Sequence, residues 1–261
     1  MAERDTRADV PIGSLPFGRV ESLGVEHPQR LLDLAPAPRQ SLDNFVVGDN
    51  AELVAQLASE RTRQTGDRFL YLWGGASSGR THLLRAAIEG GAGRAPFTGR
   101  YMDLAAPDGP LGIELLAEVG GRPLSCLALD NVDSLDAGGE QQLFNLYNTV
   151  RAERPDCLMM VAGPRPPAAL ALRADLITRL SWGLTYEVHM LTDAHKAAAL
   201  AAHAQVRGLA LGAEVIDWLL QTLPRDMRTL LAVVEALDRY SLATKRAITL
   251  PLAREWLRGV G

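Results

Sequence analysis

A chain of 261 residues can bury one sizeable core and a small companion domain, and a hydrophobic fraction of 47% suits a globular protein. Lys and Arg number 27 against 31 Asp and Glu, a formal net charge of −4, which excludes a chain-wide attraction to nucleic acid or anionic lipid and leaves such contacts to a local basic patch. No apolar run of about 18 residues occurs, and none follows Glu3, Asp5 and Asp9 as a secretory signal requires, so a cytoplasmic protein without a membrane span is expected.

Residues 1–40 mix charge, Gly and Pro without a sustained period, and Pro28, Pro36 and Pro38 interrupt any regular element, so this segment reads as a tail. The composition changes at SLDNFVVG, residues 41–48, and Leu53, Val54 and Leu57 then give helical spacing over Asn50–Arg63. From there short apolar runs alternate with helical patterns, the order that builds a parallel sheet covered by helices. Five strands are expected at Phe69–Trp73, Arg100–Leu104, Leu124–Leu129, Cys157–Ala162 and Thr185–Val188, with helices at Thr81–Glu89, Leu111–Val119, Gly139–Arg151 and Ala168–Leu180. After Met190 only helical patterns remain, at Ala194–Val206, Ala213–Leu223, Asp226–Ala243 and Pro251–Leu257. Thr192 and Asp193 can cap the first, Gly208 suits its exit, and Thr249 with Pro251 suits the start of the last. The fold class is therefore α/β: a nucleotide-binding-type domain over 41–190 with a five-stranded parallel sheet between helices, then a small all-α domain over 191–261. Cys126 and Cys157 fall inside apolar strands and read as buried thiols, while His27, His82, His189, His195 and His203 lack any ligand spacing. No metal held by protein ligands alone is expected.

Between the first strand and the next helix stands GGASSGRT, formed by Gly74, Gly75, Ala76, Ser77, Ser78, Gly79, Arg80 and Thr81 and followed by His82. It matches the phosphate-loop spacing G-x-x-x-x-G-K-[ST] at every fixed position except Lys, where Arg80 stands. The glycines let backbone N–H groups turn toward phosphate oxygens, the helix start adds positive potential, and Thr81 can offer a hydroxyl to Mg²⁺. A Gly-rich turn joining a strand to a helix is the plainer reading. Arg is a bulky planar fork where the loop usually holds a compact charge, so nucleotide binding is expected without strong catalysis. The strand Leu124–Leu129 ends in Asp130, where a carboxylate can hold the Mg²⁺ shell or simply cap the strand end. Asn131 follows, and an amide cannot take a proton from an attacking water.

The segments SLDNFVVGDN, YLWGGASSGRTHLLRAA, LDNVD, RLSWGLTYEV and RDMRTL occur in the order and rough spacing of the ATPase region of the DnaA-related AAA+ family. The resemblance covers residues 41 to 261 and is nearest to the regulatory Hda branch, through Arg80, the Asp130–Asn131 pair and the absence of a following domain. It implies that Phe45, Val46, Val47, Gly48 and Asn50 lie beside the adenine base, where the residues alone read as an apolar strand entering a helix. It implies that Arg228 reaches nucleotide phosphates from the lid, against a plain reading as a solvated helix arginine. At the position following the fourth strand, Ala162 and Gly163 supply no polar sensor. Arg179 in TRLSWG resembles the arginine that such proteins present to a neighbour's γ-phosphate, or else is a surface arginine in an ion pair. Gln29, Leu32 and Leu34 resemble the peptide by which the Hda branch binds the sliding clamp, with Arg30 in place of its first leucine; a linker with chance leucines is the alternative.

The implied function is regulatory inactivation of DnaA. A chain holding ADP or ATP, with Mg²⁺, docks on the DNA-loaded sliding clamp (the DNA polymerase III beta subunit) and presents Arg179 to DnaA-bound ATP. Its DNA contact is then indirect, and homo-oligomers are compatible with it. The competing readings are a DNA-binding initiator or helicase loader, disfavoured by the net negative charge and by the lack of residues for a helix-turn-helix domain, and a self-sufficient ATPase.

Overall fold

The structure is a computed structural model and describes residues 39–60, 68–91, 98–106, 124–154 and 156–260. The expected helix at Leu111–Val119 lies outside them. Helix α1 (Ala51–Glu60) leads to strand β1 (Phe69–Trp73), then α2 (Arg80–Gly91), β2 (Gly99–Asp103), β3 (Cys126–Asp130), α3 (Ala137–Glu153) and β4 (Leu158–Gly163). Helix α4 (Ala174–Leu180) and strand β5 (Leu184–Glu187) complete the α/β part, and α5 (Asp193–Val206), α6 (Ala213–Thr222), α7 (Met227–Thr244) and α8 (Leu250–Val260) form the lid.

The sheet is parallel throughout in the order β2-β3-β4-β1-β5. Both faces are covered, which is why its strands read as nearly continuous apolar runs. Alternation along β1 and β4 sends Tyr71, Met159 and Val161 to the face packed on α3 and α4, through Leu143, Tyr147, Leu176 and Leu180. The intervening residues Leu70, Leu72, Met160 and Ala162 meet Leu53 and Leu57 of α1 and Leu83 and Leu84 of α2 on the other face. Cys126 and Cys157 are free and buried, and burial pushes the Cys157 thiol up to about 12.

Two stretches differ from expectation. The pattern over Ala168–Leu180 is not one helix: a single 3₁₀ turn, Pro167–Ala169, is followed by extended backbone, and α4 begins only at Ala174. Pro166 and Pro167 fix their φ angles, Leu170 is buried, and the Arg173 N–H donates to Glu140 Oε2 at 2.7 Å, so tertiary contacts override an alanine-rich helical pattern. The residues before α1 form turns rather than a strand. Ser41 and Asn44 exchange side chain to backbone hydrogen bonds of 3.3 and 2.9 Å, and Gly48 takes a φ of +49°.

Caps set the ends of several helices. Asp136 accepts from the Gly139 N–H at 2.7 Å and starts α3 two residues before its apolar spacing does. Thr192 caps α5 through the His195 N–H, and Asp226 caps α7 through the Thr229 N–H. The lid has its own apolar centre, including Leu200, Val215, Leu219, Leu230, Val234, Leu237, Leu252 and Trp256. Each such leucine stabilises the folded state by roughly 1.5–3 kcal/mol when taken out of water. Among the described residues, no helix is long and apolar enough to cross a membrane.

Candidate functional site

The loop between β1 and α2 lies at the carboxyl ends of the strands, and its glycines are sterically required. A Cβ at Gly74 would stand 2.5 Å from the Val188 carbonyl oxygen, and one at Gly79, whose φ is +103°, would stand 2.8 Å from the Phe45 ring. Ser77 also takes a left-handed φ of 62°. Consecutive turns of this kind direct backbone N–H groups into one concavity at the start of α2. Two side-chain atoms there, Ser78 Oγ and Arg80 Nη1, are buried without a hydrogen-bond partner among the described residues. A buried guanidinium nitrogen and a buried hydroxyl at a helix start fit the oxygens of a phosphate chain.

Asp130 closes the site from β3 and is 1% exposed. Its Oδ2 accepts from the Thr81 hydroxyl at 2.5 Å and from the Tyr101 hydroxyl at 3.2 Å, and its Oδ1 accepts from the Asn131 N–H at 3.0 Å. A hydroxyl and a carboxylate facing each other beside a phosphate loop suit Mg²⁺ bound together with nucleotide oxygens. No three His, Cys, Asp or Glu side chains gather into a metal cluster among the described residues. Asn131 is left-handed, with φ 58° and ψ 48°, and its Nδ2 donates to Asp103 Oδ1 at 2.8 Å. At the end of β4 a Cβ on Gly163 would collide with the Tyr71 hydroxyl, which donates instead to the Arg165 carbonyl at 2.8 Å. Burial raises the Tyr71 pKa well above the usual phenol value.

The segment expected beside the base does lie against the phosphate loop. The Phe45 ring covers Gly79 and stands 5.3 Å from the His82 ring, Val46 is half-buried, Val47 is exposed, and Gly48 abuts Leu191 and His195 at the start of the lid. Asn50 departs from its expected role as a base contact. It is 3% exposed and both ends of its amide are engaged, Nδ2 donating to the His189 carbonyl at 3.0 Å and Oδ1 accepting from the His189 N–H at 2.7 Å. His82 Nε2 stands 2.9 Å from the Ser41 carbonyl oxygen, and burial, joined by the charge of Arg228, lowers its pKa. Arg228, exposed in the first turn of α7, is thus near enough to act on the first turn of α2.

Arg179 lies elsewhere. Its guanidinium carbon is 3.7 Å from the centre of the Phe144 ring, its Nε donates to Asn148 Oδ1 at 3.0 Å, and its Nη1 reaches the Asp175 carbonyl at 3.4 Å. The arginine is therefore held on α3 rather than extended freely into solvent. Gln29, Leu32 and Leu34 lie outside the described residues.

Residues 193–257, from α5 into α8, match the family described as the lid domain of Hda. Domain III of the replication initiation protein DnaA from Thermotoga maritima is similar over 86% of this chain and 98% of that chain, with a TM-score of 0.66 and 19% identity. The chain thus carries a segment similar to the Hda lid domain and shares the fold of DnaA domain III. AMPPCP-bound DnaA from Aquifex aeolicus is similar over 77% of this chain and 65% of its own, with a TM-score of 0.61 and 23% identity. A RuvB variant from Thermotoga maritima is similar over 87% and 72%, with a TM-score of 0.62 and 14% identity. At these identities the likeness to solved structures is one of fold.

Several site residues carried no sequence signal. Tyr101 and Asp103 reach the Asp130 corner only because β2 pairs with β3 in the register Asp103↔Asp130. Phe144 and Asn148 are four residues apart on α3 and so share the face that meets α4, but nothing along the chain pairs them with Arg179.

Proposed function

We propose that this chain is a nucleotide-bound regulator that triggers hydrolysis of ATP on a DnaA-type initiator and so prevents re-initiation. The Hda lid and the DnaA-type core support a DnaA-related replication regulator. The observation that carries the finer reading is the placement of Arg179. Strand β5 runs parallel to β1 with Leu184 beside Leu70 and Glu187 beside Trp73, and Arg179 precedes Leu184. It therefore belongs to the amino end of the sheet, whereas the phosphate loop follows the carboxyl end of β1, roughly 13 Å of strand away. An arginine so placed serves a phosphate on another molecule.

The chemistry follows from the parts. Phosphoryl transfer spreads negative charge over the γ-phosphate oxygens, and a guanidinium delivered there neutralises it, with effects of about 10³–10⁵ in rate. Stacking on Phe144 and the bond to Asn148 hold the planar Arg179 fork in one orientation before the partner arrives, which reduces the ordering cost of docking. Phe45, Gly48, the loop from Gly74 to Thr81, His82, Asp130 and Arg228 would hold the chain's own ADP or ATP, Thr81 and Asp130 taking Mg²⁺ with it. Gln29, Leu32 and Leu34 would tether the chain to the sliding clamp on DNA, the leucines by apolar contact and Gln by directional hydrogen bonds.

The experiment is hydrolysis of DnaA-bound ATP in the presence of this chain, clamp and DNA, comparing the native chain with Arg179→Ala and Gln29→Ala. Stimulation by the native chain alone supports the reading. If the native chain does not stimulate, the regulatory role fails; tight, salt-sensitive DNA binding without clamp would point to an initiator or loader instead.

A further inference from the structure

We infer that Asp103 is the proton-accepting carboxylate of a slow nucleoside-triphosphate hydrolysis carried out by this chain on its own bound nucleotide. The inference rests on the nucleotide-site reading above but not on any partner. Hydrolysis needs a group that orients the attacking water and takes its proton. The residue after Asp130, Asn131, is an amide and cannot do so. Asp130 is itself engaged at both oxygens by Thr81, Tyr101 and the Asn131 N–H.

The next carboxylate at this corner is Asp103. It is the last residue of β2, register partner of Asp130, and is half-buried. Its Oδ1 takes two donors, Asn131 Nδ2 at 2.8 Å and the Ala105 N–H at 3.0 Å, while Oδ2 takes none among the described residues. One oxygen is thereby fixed and the other left available. Asn131 takes a left-handed conformation, which asparagine tolerates, and from it donates Nδ2 to Asp103. A strand-end turn accounts for the Ala105 bond, but it does not account for the Asn131 side chain, whose Nδ2 donates to Asp103 while the backbone N–H of the same residue donates to Asp130. The arrangement places the carboxylate at the end of β2 and the amide directly after β3.

In the step itself the water oxygen bonds to the γ-phosphorus as the bond from that phosphorus to the β,γ-bridging oxygen breaks. The electron pair stays with the bridging oxygen, the water proton passes to Asp103 Oδ2 and on to solvent, and the products are nucleoside diphosphate and inorganic phosphate. No redox change occurs. The chain would convert itself from a triphosphate-bound to a diphosphate-bound form without help.

The test uses the full chain stripped of nucleotide, loaded with ATP and Mg²⁺ and followed through a single turnover. Affinity is measured separately by titration with a fluorescent ADP analogue, and folding by thermal melting. The native chain is expected to convert ATP slowly. Asp103→Asn should lower that rate by about 10²-fold, in the range a general base contributes, with affinity and melting temperature unchanged. Asp133→Asn, at the exposed carboxylate of the neighbouring 3₁₀ turn, should turn over like the native chain. The exchanged pair Asp103→Asn with Asn131→Asp should regain turnover by returning a carboxylate to the corner. The inference is overturned if the native chain has no turnover, if Asp103→Asn keeps the native rate or loses it only through weaker binding, if Asp133→Asn carries the loss, or if the exchanged pair is as slow as the single variant. None of these outcomes touches the stimulation of a partner, so the two readings stand or fall separately.

Discussion

The hydroxyl of Thr81 and Oδ2 of Asp130 are 2.5 Å apart, a bond that joins the first turn of α2 to the end of β3 across the phosphate concavity. Removing one partner leaves the other buried with fewer donors, at a cost of about 1–3 kcal/mol. Thr81→Ala is therefore expected to lower the melting temperature and to abolish the Mg²⁺ dependence of nucleotide binding. Titration of nucleotide with and without chelator checks it: the native affinity should respond to the chelator and that of the variant should not.

Arg179→Lys is not a conservative change here, because an ammonium neither stacks flat on Phe144 nor presents a fork. It is expected to lose most of the stimulation of DnaA-bound ATP hydrolysis, within the roughly 10³–10⁵-fold range of such arginines. Asn148→Ala, which removes only the bond that orients Nε, should lose a smaller part. Equal losses from Arg179→Lys and Asn148→Ala, measured at saturating chain, would contradict an orienting role for Asn148.

Asn50→Ala removes a buried side chain that bonds both backbone groups of His189. Two main-chain groups then lose their partner, and destabilisation of about 1–3 kcal/mol for each group left buried is expected. Urea unfolding checks this. A midpoint equal to that of the native chain would show that water replaces the amide without cost.

Acidification should weaken the fold through His82, whose pKa is lowered from 6.5 by burial and then by Arg228. Because the unfolded chain binds the proton more readily than the folded one, the stability from neutral His82 is complete above 6.5 and is lost as pH falls from that value through the depressed folded value. His203, also lowered by burial and by Arg207, acts with the same sign. Unfolding midpoints measured above and below 6.5 should diverge in the native chain and diverge less in His82→Gln.

Much of this architecture was legible because its signals are local. The glycines and Thr81 stand at fixed spacing, and strands covered on both faces announce themselves as apolar runs, so the phosphate loop and all five strands fall where they were expected. What escaped is carried by pairings distant along the chain. Asp103 meets Asn131 through strand register, Asn148 meets Arg179 through the packing of α4 on α3, and Asn50 meets His189 across the whole α/β part. The break before α4 was hidden for a related reason. Leu170 and the Arg173 N–H satisfy partners on other elements, and that outweighs an alanine-rich sequence that would otherwise run on as a helix.

The bond pair between Asn50 and His189 also joins the two ends of the α/β part. Asn50 directly precedes α1 and follows the loop whose Phe45 covers Gly79, while His189 lies two residues past β5 on the way into the last four helices, so one side chain pins the entrance of the domain to its exit. Movement of the last four helices about residues 188–192 would pull on the same loop that covers Gly79. If the concavity holds nucleotide as proposed, its release and the movement of the last four helices would be coupled through that one amide, a single concerted opening rather than two independent ones.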